Sequence, residues 1–156
     1  MKIINFPFCN FYSFQRYLRK RSISYSILSE TNPPKDITEY IVIPGVGTFG
    51  QAMEYLEQKN LVSLIKSHAE KGGNILGICL GMQLFFESSS ESPEVEGLGI
   101  IKGECLPIKK CRNFQVPHIG WNGIKASKNY TFFHNIFNEN LESIIDFYFV
   151  HSYVVY

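Results

Sequence analysis

Short apolar runs alternate along this chain with stretches whose apolar residues return every three or four positions, the rhythm of βαβ units on a largely parallel sheet. Residues 2–6 predict a first strand. Residues 11–20 carry Phe14, Tyr17 and Leu18 at helical spacing, and residues 22–28 return as a strand. Asn32-Pro33-Pro34 predicts a loop, because a residue preceding proline is pushed out of the helical region. Residues 40–43 read as a buried strand ending at Pro44-Gly45-Val46-Gly47. A helical region follows over residues 51–71, with Met53, Leu56, Leu61, Leu64 and Ile65 as its apolar positions and a break at Asn60. Gly72-Gly73 stops it, and residues 74–78 form the next strand. Cys79 comes at once, ahead of a helix over residues 80–87 and a polar loop over residues 88–93.

After Gly97 the texture changes. Strand-like runs at residues 100–101, 105–108, 121–124 and 147–156 are split by glycine and proline, which predicts antiparallel additions beside the parallel core. There is no internal repeat and no linker, so residues 1–156 are expected to form one domain of the α/β class. The β-type run 147–156 stops without a turn or polar tail. A strand ending there leaves edges and aromatics poorly covered, and the domain is therefore expected to lack its C-terminal part.

Composition narrows the function classes. Hydrophobic residues make up 45% and charged ones 19%, a globular balance, and 15 basic against 14 acidic residues leave a net charge of +1. Near-neutrality gives no reason to expect nucleic acid or an anionic membrane as partner. No run approaches the ~20 apolar residues of a membrane span. Cys9, Cys79, Cys105 and Cys111 are scattered without paired spacing, so neither a zinc site nor a disulfide scaffold is expected, and reduced thiols fit a cytoplasmic protein.

The chemistry concentrates in Gly77-Ile78-Cys79-Leu80-Gly81, set between a buried strand and a helix. This is the nucleophile elbow with sulfur in place of a serine oxygen. Glycines on either side relieve the crowding of a strained turn. The helix N-terminus is expected to favour thiolate over thiol. A free cysteine is more often a small buried hydrophobe; the glycine bracket reverses that reading for Cys79. Glycines at Pro44-Gly45-Val46-Gly47, just past a strand's carboxyl end, let a peptide N–H point into the crevice where α/β sheets bind ligands. Paired with the N–H of Leu80, such a peptide makes an oxyanion hole for acyl transfer.

Together, PGVGTFGQAM (residues 44–53), GICLGMQLFFESSSE (77–91), GLGIIKG (97–103), PHIGWN (117–122) and FYFVHSY (147–153) resemble the class I glutamine amidotransferases, and within them the glutaminase subunits of imidazole glycerol phosphate synthases. The resemblance runs from about residue 40 to 153 and implies a flavodoxin-like open sheet. It implies that Cys79 attacks the glutamine side-chain amide, forming a thioester and releasing ammonia. Gly47 and Leu80 would donate N–H groups to the oxyanion, with the Gly45–Val46 peptide reorienting on activation. Gln83 and Glu91 would hold the α-amino and α-carboxylate ends of glutamine, and Ser152 and Tyr153 would contact the substrate through strand edges. Trp121 and Tyr148 would face a (β/α)₈-barrel cyclase, making a heterodimer that passes the ammonia on. No cofactor and no metal is implied. Without the resemblance, Gln83 reads as a solvated helix residue and Glu91 as a loop carboxylate.

Two departures stand out. The family's His and Glu, which follow the HSY strand in an HPE-type segment, have no counterpart here, and His151 matches the histidine of the HSY strand instead. Glutamine turnover by these 156 residues is therefore expected to be poor, by roughly two to four orders of magnitude. At the start, Asn5-Phe6-Pro7-Phe8-Cys9-Asn10 replaces an aspartate-, tyrosine- and glycine-bearing segment. That leaves open a paralogue feeding a sugar amidotransferase of surface-polysaccharide synthesis, and a non-catalytic chain that only binds the partner.

Overall fold

The computed structural model describes residues 1–109, 115–125 and 144–155. They fall into two compact units, one of residues 1–107 with the strand from Tyr153, the other within residues 108–152.

The first unit is built on a four-stranded parallel sheet in the order β2-β1-β3-β4. Its strands are β1 (Lys2–Ile3), β2 (Ser26–Ile27), β3 (Ile41–Ile43) and β4 (Ile75–Gly77). Helix α1 (Phe11–Lys20) carries the chain from β1 to β2, and α2 (Phe49–Gln58) and α3 (Val62–Glu70) carry it from β3 to β4. Alternation along the strands explains why helices cover both faces. Ile3 and its register partner Val42 pack with Phe11 and Leu18 of α1. Ile41 and Ile43 point the other way, into a larger cluster with Phe49, Ala52, Met53 and Leu56 of α2 and with Leu61 and Ile65. Leu80 and Leu84, which follow β4, complete that cluster, so the segment carrying Cys79 is anchored in the main core.

Local chemistry sets the helix limits. Thr48 caps α2, its hydroxyl accepting the Gln51 N–H at 3.4 Å. Asn60 separates α2 from α3 with φ +54°, a left-handed conformation that asparagine tolerates. The expected break at Asn60 is thus present. The final turn of α1 places Arg19 and Lys20 at the negative end of the helix dipole.

A second sheet in the same unit joins β5 (Ser88–Ser89), β6 (Glu104–Pro107) and β9 (Tyr153–Val155). β5 and β6 are parallel, β6 and β9 antiparallel, with Pro107 opposite Tyr153. The second unit contains an antiparallel pair, β7 (His118–Ile124) and β8 (Ile145–His151), in register from His118–His151 to Ile124–Ile145.

The mostly parallel sheet with antiparallel additions matches the sequence reading, and several boundaries do not. The helix expected over residues 80–87 is a single turn, α4 (Leu80–Gln83). The polar loop expected over 88–93 contributes β5, because the Ser89 side chain is buried and its backbone pairs with Cys105. The run 147–156 is two strands with different partners, parted at Ser152. Residues 100–101 form no strand.

Leu56 is fully enclosed in the main cluster. Leu56→Ala is expected to lower the unfolding free energy by about 2–5 kcal/mol, measured by urea denaturation, because the cavity persists after the methyls are removed.

Candidate active site

Cys79 occupies the point where β4 becomes α4, with φ +53° and ψ −114°. A non-glycine residue held there costs on the order of 1–3 kcal/mol, and the surroundings must enforce it. They do so by close backbone packing. A Cβ added at Gly77 would come within 2.6 Å of the Met82 backbone, and one at Gly81 would overlap the carbonyl oxygen of Ile43. Met82 N–H and Gln83 N–H both donate to the Cys79 carbonyl, at 2.9 and 3.2 Å, which starts the helical turn on the strained residue itself. Cys79 as a residue is exposed at the surface, while its sulfur is partly desolvated by the packed elbow.

The Pro44-Gly45-Val46-Gly47 turn lies directly on this elbow. A Cβ at Gly45 would overlap the Gly81 nitrogen and lie 2.5 Å from Leu80 Cβ. Gly47 has φ +118°, which a side chain would resist. The two segments expected to frame an oxyanion hole are therefore in contact.

The expected acidic thiol is not what the site produces. Burial pushes the Cys79 thiol above its ordinary value, and the Leu80 N–H pulls it only partly back. A helix of four residues has too short a run of aligned peptides to supply a strong dipole. The buried Cys105 is pushed up to about 11, first by burial and then by Glu104 and Glu91. Its Sγ–H points to the Gln83 carbonyl at 3.6 Å.

Other expected residues sort as follows. Gln83 is buried rather than solvated, and its side-chain amide donates to the Tyr153 carbonyl at 3.2 Å, which brings these two together. One oxygen of Glu91 accepts the Phe49 N–H at 2.7 Å, so the carboxylate already caps α2. Ser152 belongs to the other unit, where its carbonyl accepts the Ile108 N–H at 2.9 Å. Trp121 and Tyr148 are register partners on the β7–β8 pair, with ring centroids 5.6 Å apart at 64°, and they are 71% and 55% exposed.

The described histidines make contacts of their own. His68 packs its ring against Gly73, which precedes the far end of β4, and its buried Nε2 has no hydrogen-bond partner. His118 Nδ1 and His151 Nε2 lie 2.9 Å apart, paired across β7 and β8. His134 lies outside the described residues. Among those residues no cluster of three metal-ligating side chains occurs, and no helix is long and apolar enough to cross a membrane.

Sequence reading missed three contacts here. Cys9 Sγ lies 3.3 Å from the Val46 nitrogen and 3.4 Å from its oxygen, clasping the peptide of the turn. Ser92 Oγ accepts the Gly50 N–H at 3.0 Å. The Cys105 thiol donates to the Gln83 carbonyl. Each joins residues 22 to 42 positions apart, beyond the reach of local spacing.

A family model described as glutamine amidotransferase class-I matches residues 3–156, and the chain belongs to this family. A crystal structure titled as that of a glutamine amidotransferase has the same fold, with a TM-score of 0.63 at 14% identity over 94% of this chain and 69% of that one. Within the family the chain stands with proteins named imidazole glycerol phosphate synthase subunit HisH. The relative from Aquifex aeolicus is 41% identical over 98% of this chain and 70% of its own length. That from Bacillus licheniformis is 37% identical over 98% and 71%, and that from Sulfurimonas denitrificans 46% over 77% and 58%.

Because the thiol is raised, Cys79 alkylation by iodoacetamide is expected to be slow at pH 7 and to climb with pH, with its midpoint above that of a free thiol. Mass spectrometry of labelled peptides, with Cys79→Ser as blank, measures this; a midpoint below neutrality contradicts it.

Proposed function

We propose that this chain is the glutaminase subunit of an imidazole glycerol phosphate synthase, with glutamine as its substrate and Cys79 as its nucleophile. The observation that carries the reading is the strained, exposed cysteine held between two glycines in contact with the Pro44–Gly47 turn. The thiolate attacks the side-chain carbonyl carbon of glutamine. As the C–S bond forms, the oxygen takes up negative charge, which the N–H groups of Leu80 and Gly47 stabilise. The C–N bond then breaks, and the nitrogen leaves as ammonia after gaining a proton. Water hydrolyses the resulting thioester to glutamate and regenerates the thiol. Both steps are acyl transfers that side chains and peptide dipoles can carry without a metal or cofactor.

Roles for the remaining residues follow from the same reading. Gln83, Glu91 and Tyr153 hold the backbone end of glutamine. Trp121 and Tyr148 form an aromatic patch for the partner, a (β/α)₈-barrel cyclase in the cytoplasm that receives the ammonia. The relatives' shared name supports this acceptor over a sugar derivative. Residues 1–156 read as one amidotransferase domain comprising both compact units.

Three observations test this. A γ-chloroketone analogue of glutamine should alkylate Cys79, and free glutamine should protect it. Lack of protection would refute the glutaminase reading. With the cyclase and its ribonucleotide ligand present, Cys79→Ser is expected to lower glutamate release from glutamine by about two orders of magnitude or more, because the serine hydroxyl is a far poorer nucleophile. Near-normal turnover would reject that expectation. Trp121→Ala and Tyr148→Ala are each expected to weaken cyclase binding by ~2 kcal/mol or more, about 30-fold in Kd by calorimetry, as exposed aromatic anchors do.

A further inference from the structure

Helix α2 begins one residue after the oxyanion turn, so whatever fixes its first peptide also fixes the far end of that turn. The first three N–H groups of a helix have no partner within it. Here the N–H of Phe49 is taken by Glu91 Oε2 at 2.7 Å, that of Gly50 by Ser92 Oγ at 3.0 Å, and that of Gln51 by Thr48 Oγ1 at 3.4 Å. Only the last is a local cap. The other two come from the loop after β5, on the opposite side of the elbow in sequence.

The approach is close enough to dictate residue type. A Cβ at Gly50 would lie 2.9 Å from Ser92 Oγ, so glycine is what lets the hydroxyl reach the backbone. The loop is itself held rigidly. The Glu91 N–H donates to Ser89 Oγ at 3.3 Å and the Ser92 N–H to the Ser89 carbonyl at 3.0 Å. Ser89 is buried, paired with Cys105 in the second sheet. Residues 46–48 are thus strung between two anchors, Gly45 on the elbow and Phe49–Gly50 on the loop.

We propose that Glu91 and Ser92 are positioning residues, which cap α2 from the neighbouring loop and thereby aim the Gly47 peptide N–H at the oxyanion. This rests on the glutaminase reading above. It adds Ser92 to the working parts of the site and gives Glu91 a duty separable from any contact with the ammonium group of glutamine. The Phe49 N–H needs an acceptor, which a carboxylate or an amide oxygen provides. An ammonium group needs the charge.

Inactivation of the 156-residue chain by the γ-chloroketone of glutamine, resolved into a maximal rate and a half-saturating concentration at Cys79, separates the two duties. Ser92→Ala is expected to lower the maximal rate about tenfold or more, the order of losing oxyanion alignment, while the half-saturating concentration stays put. Ser92→Thr, which keeps the hydroxyl, should restore the rate. Glu91→Gln should keep the rate and raise only the half-saturating concentration, whereas Glu91→Asp, too short to reach Phe49, should lose rate. Amide hydrogen exchange should speed up at Gly50 in Ser92→Ala and at Phe49 in Glu91→Asp. If Ser92→Ala does not fold, the Glu91 pair decides alone. An unchanged rate in Ser92→Ala, or an equal loss of rate in Glu91→Gln and Glu91→Asp, overturns the proposal while leaving the glutaminase reading intact. Failure of glutamine to protect wild-type Cys79 overturns both.

Discussion

The backbone at residue 79 is bent into a conformation that an L-residue with a side chain resists, and the rest of the first unit is arranged so that it has no alternative. Ile43 and Gly77 are register partners, which brings the ends of β3 and β4 level. The Ile43 carbonyl then abuts Gly81, and Met82 abuts Gly77, at separations that leave no room for a methyl group. Leu80 and Leu84 sink into the core on the far side. The thiol is presented outward because every inward direction is already filled.

This arrangement separates two properties that the sequence reading joined. Presentation of Cys79 comes from sterics and is well provided. Its acidity was expected from a helix dipole, and the helix is one turn long. Burial opposes ionisation of the thiol and pushes it above its ordinary value. A nucleophile that is poised in space in this way still needs a group nearby to accept its proton.

Legibility from sequence followed the range of the interactions. Strand–helix alternation, the break at Asn60 and the Gly-x-Cys-x-Gly elbow are written in spacings of a few residues, and they were readable. Residues 88–93 were misread as a loop because Ser88 and Ser89 are polar, yet pairing with β6 buries Ser89 and makes it part of a sheet. The run 147–156 looked like one strand because every residue suits a strand, and nothing in it shows that the partner changes at Ser152. Cys9 beneath Val46, and Glu91 with Ser92 at the head of α2, depend on tertiary meetings over 37 to 42 residues. Glu91 itself was found through motif resemblance, which identified the residue and not the hydrogen bond it makes.

Pro107 and Tyr153 face each other across β6 and β9, and the whole second unit is an excursion of the chain between them. Its entry and exit therefore leave through neighbouring, hydrogen-bonded positions. The two strand positions that flank the excursion are thus adjacent, the geometry a tight reverse turn would span. Evolution or an engineer can lengthen, exchange or delete what hangs there at a loop-closure cost that grows only with the logarithm of its length. The part of the chain bearing Trp121 and Tyr148 is thus a replaceable cassette.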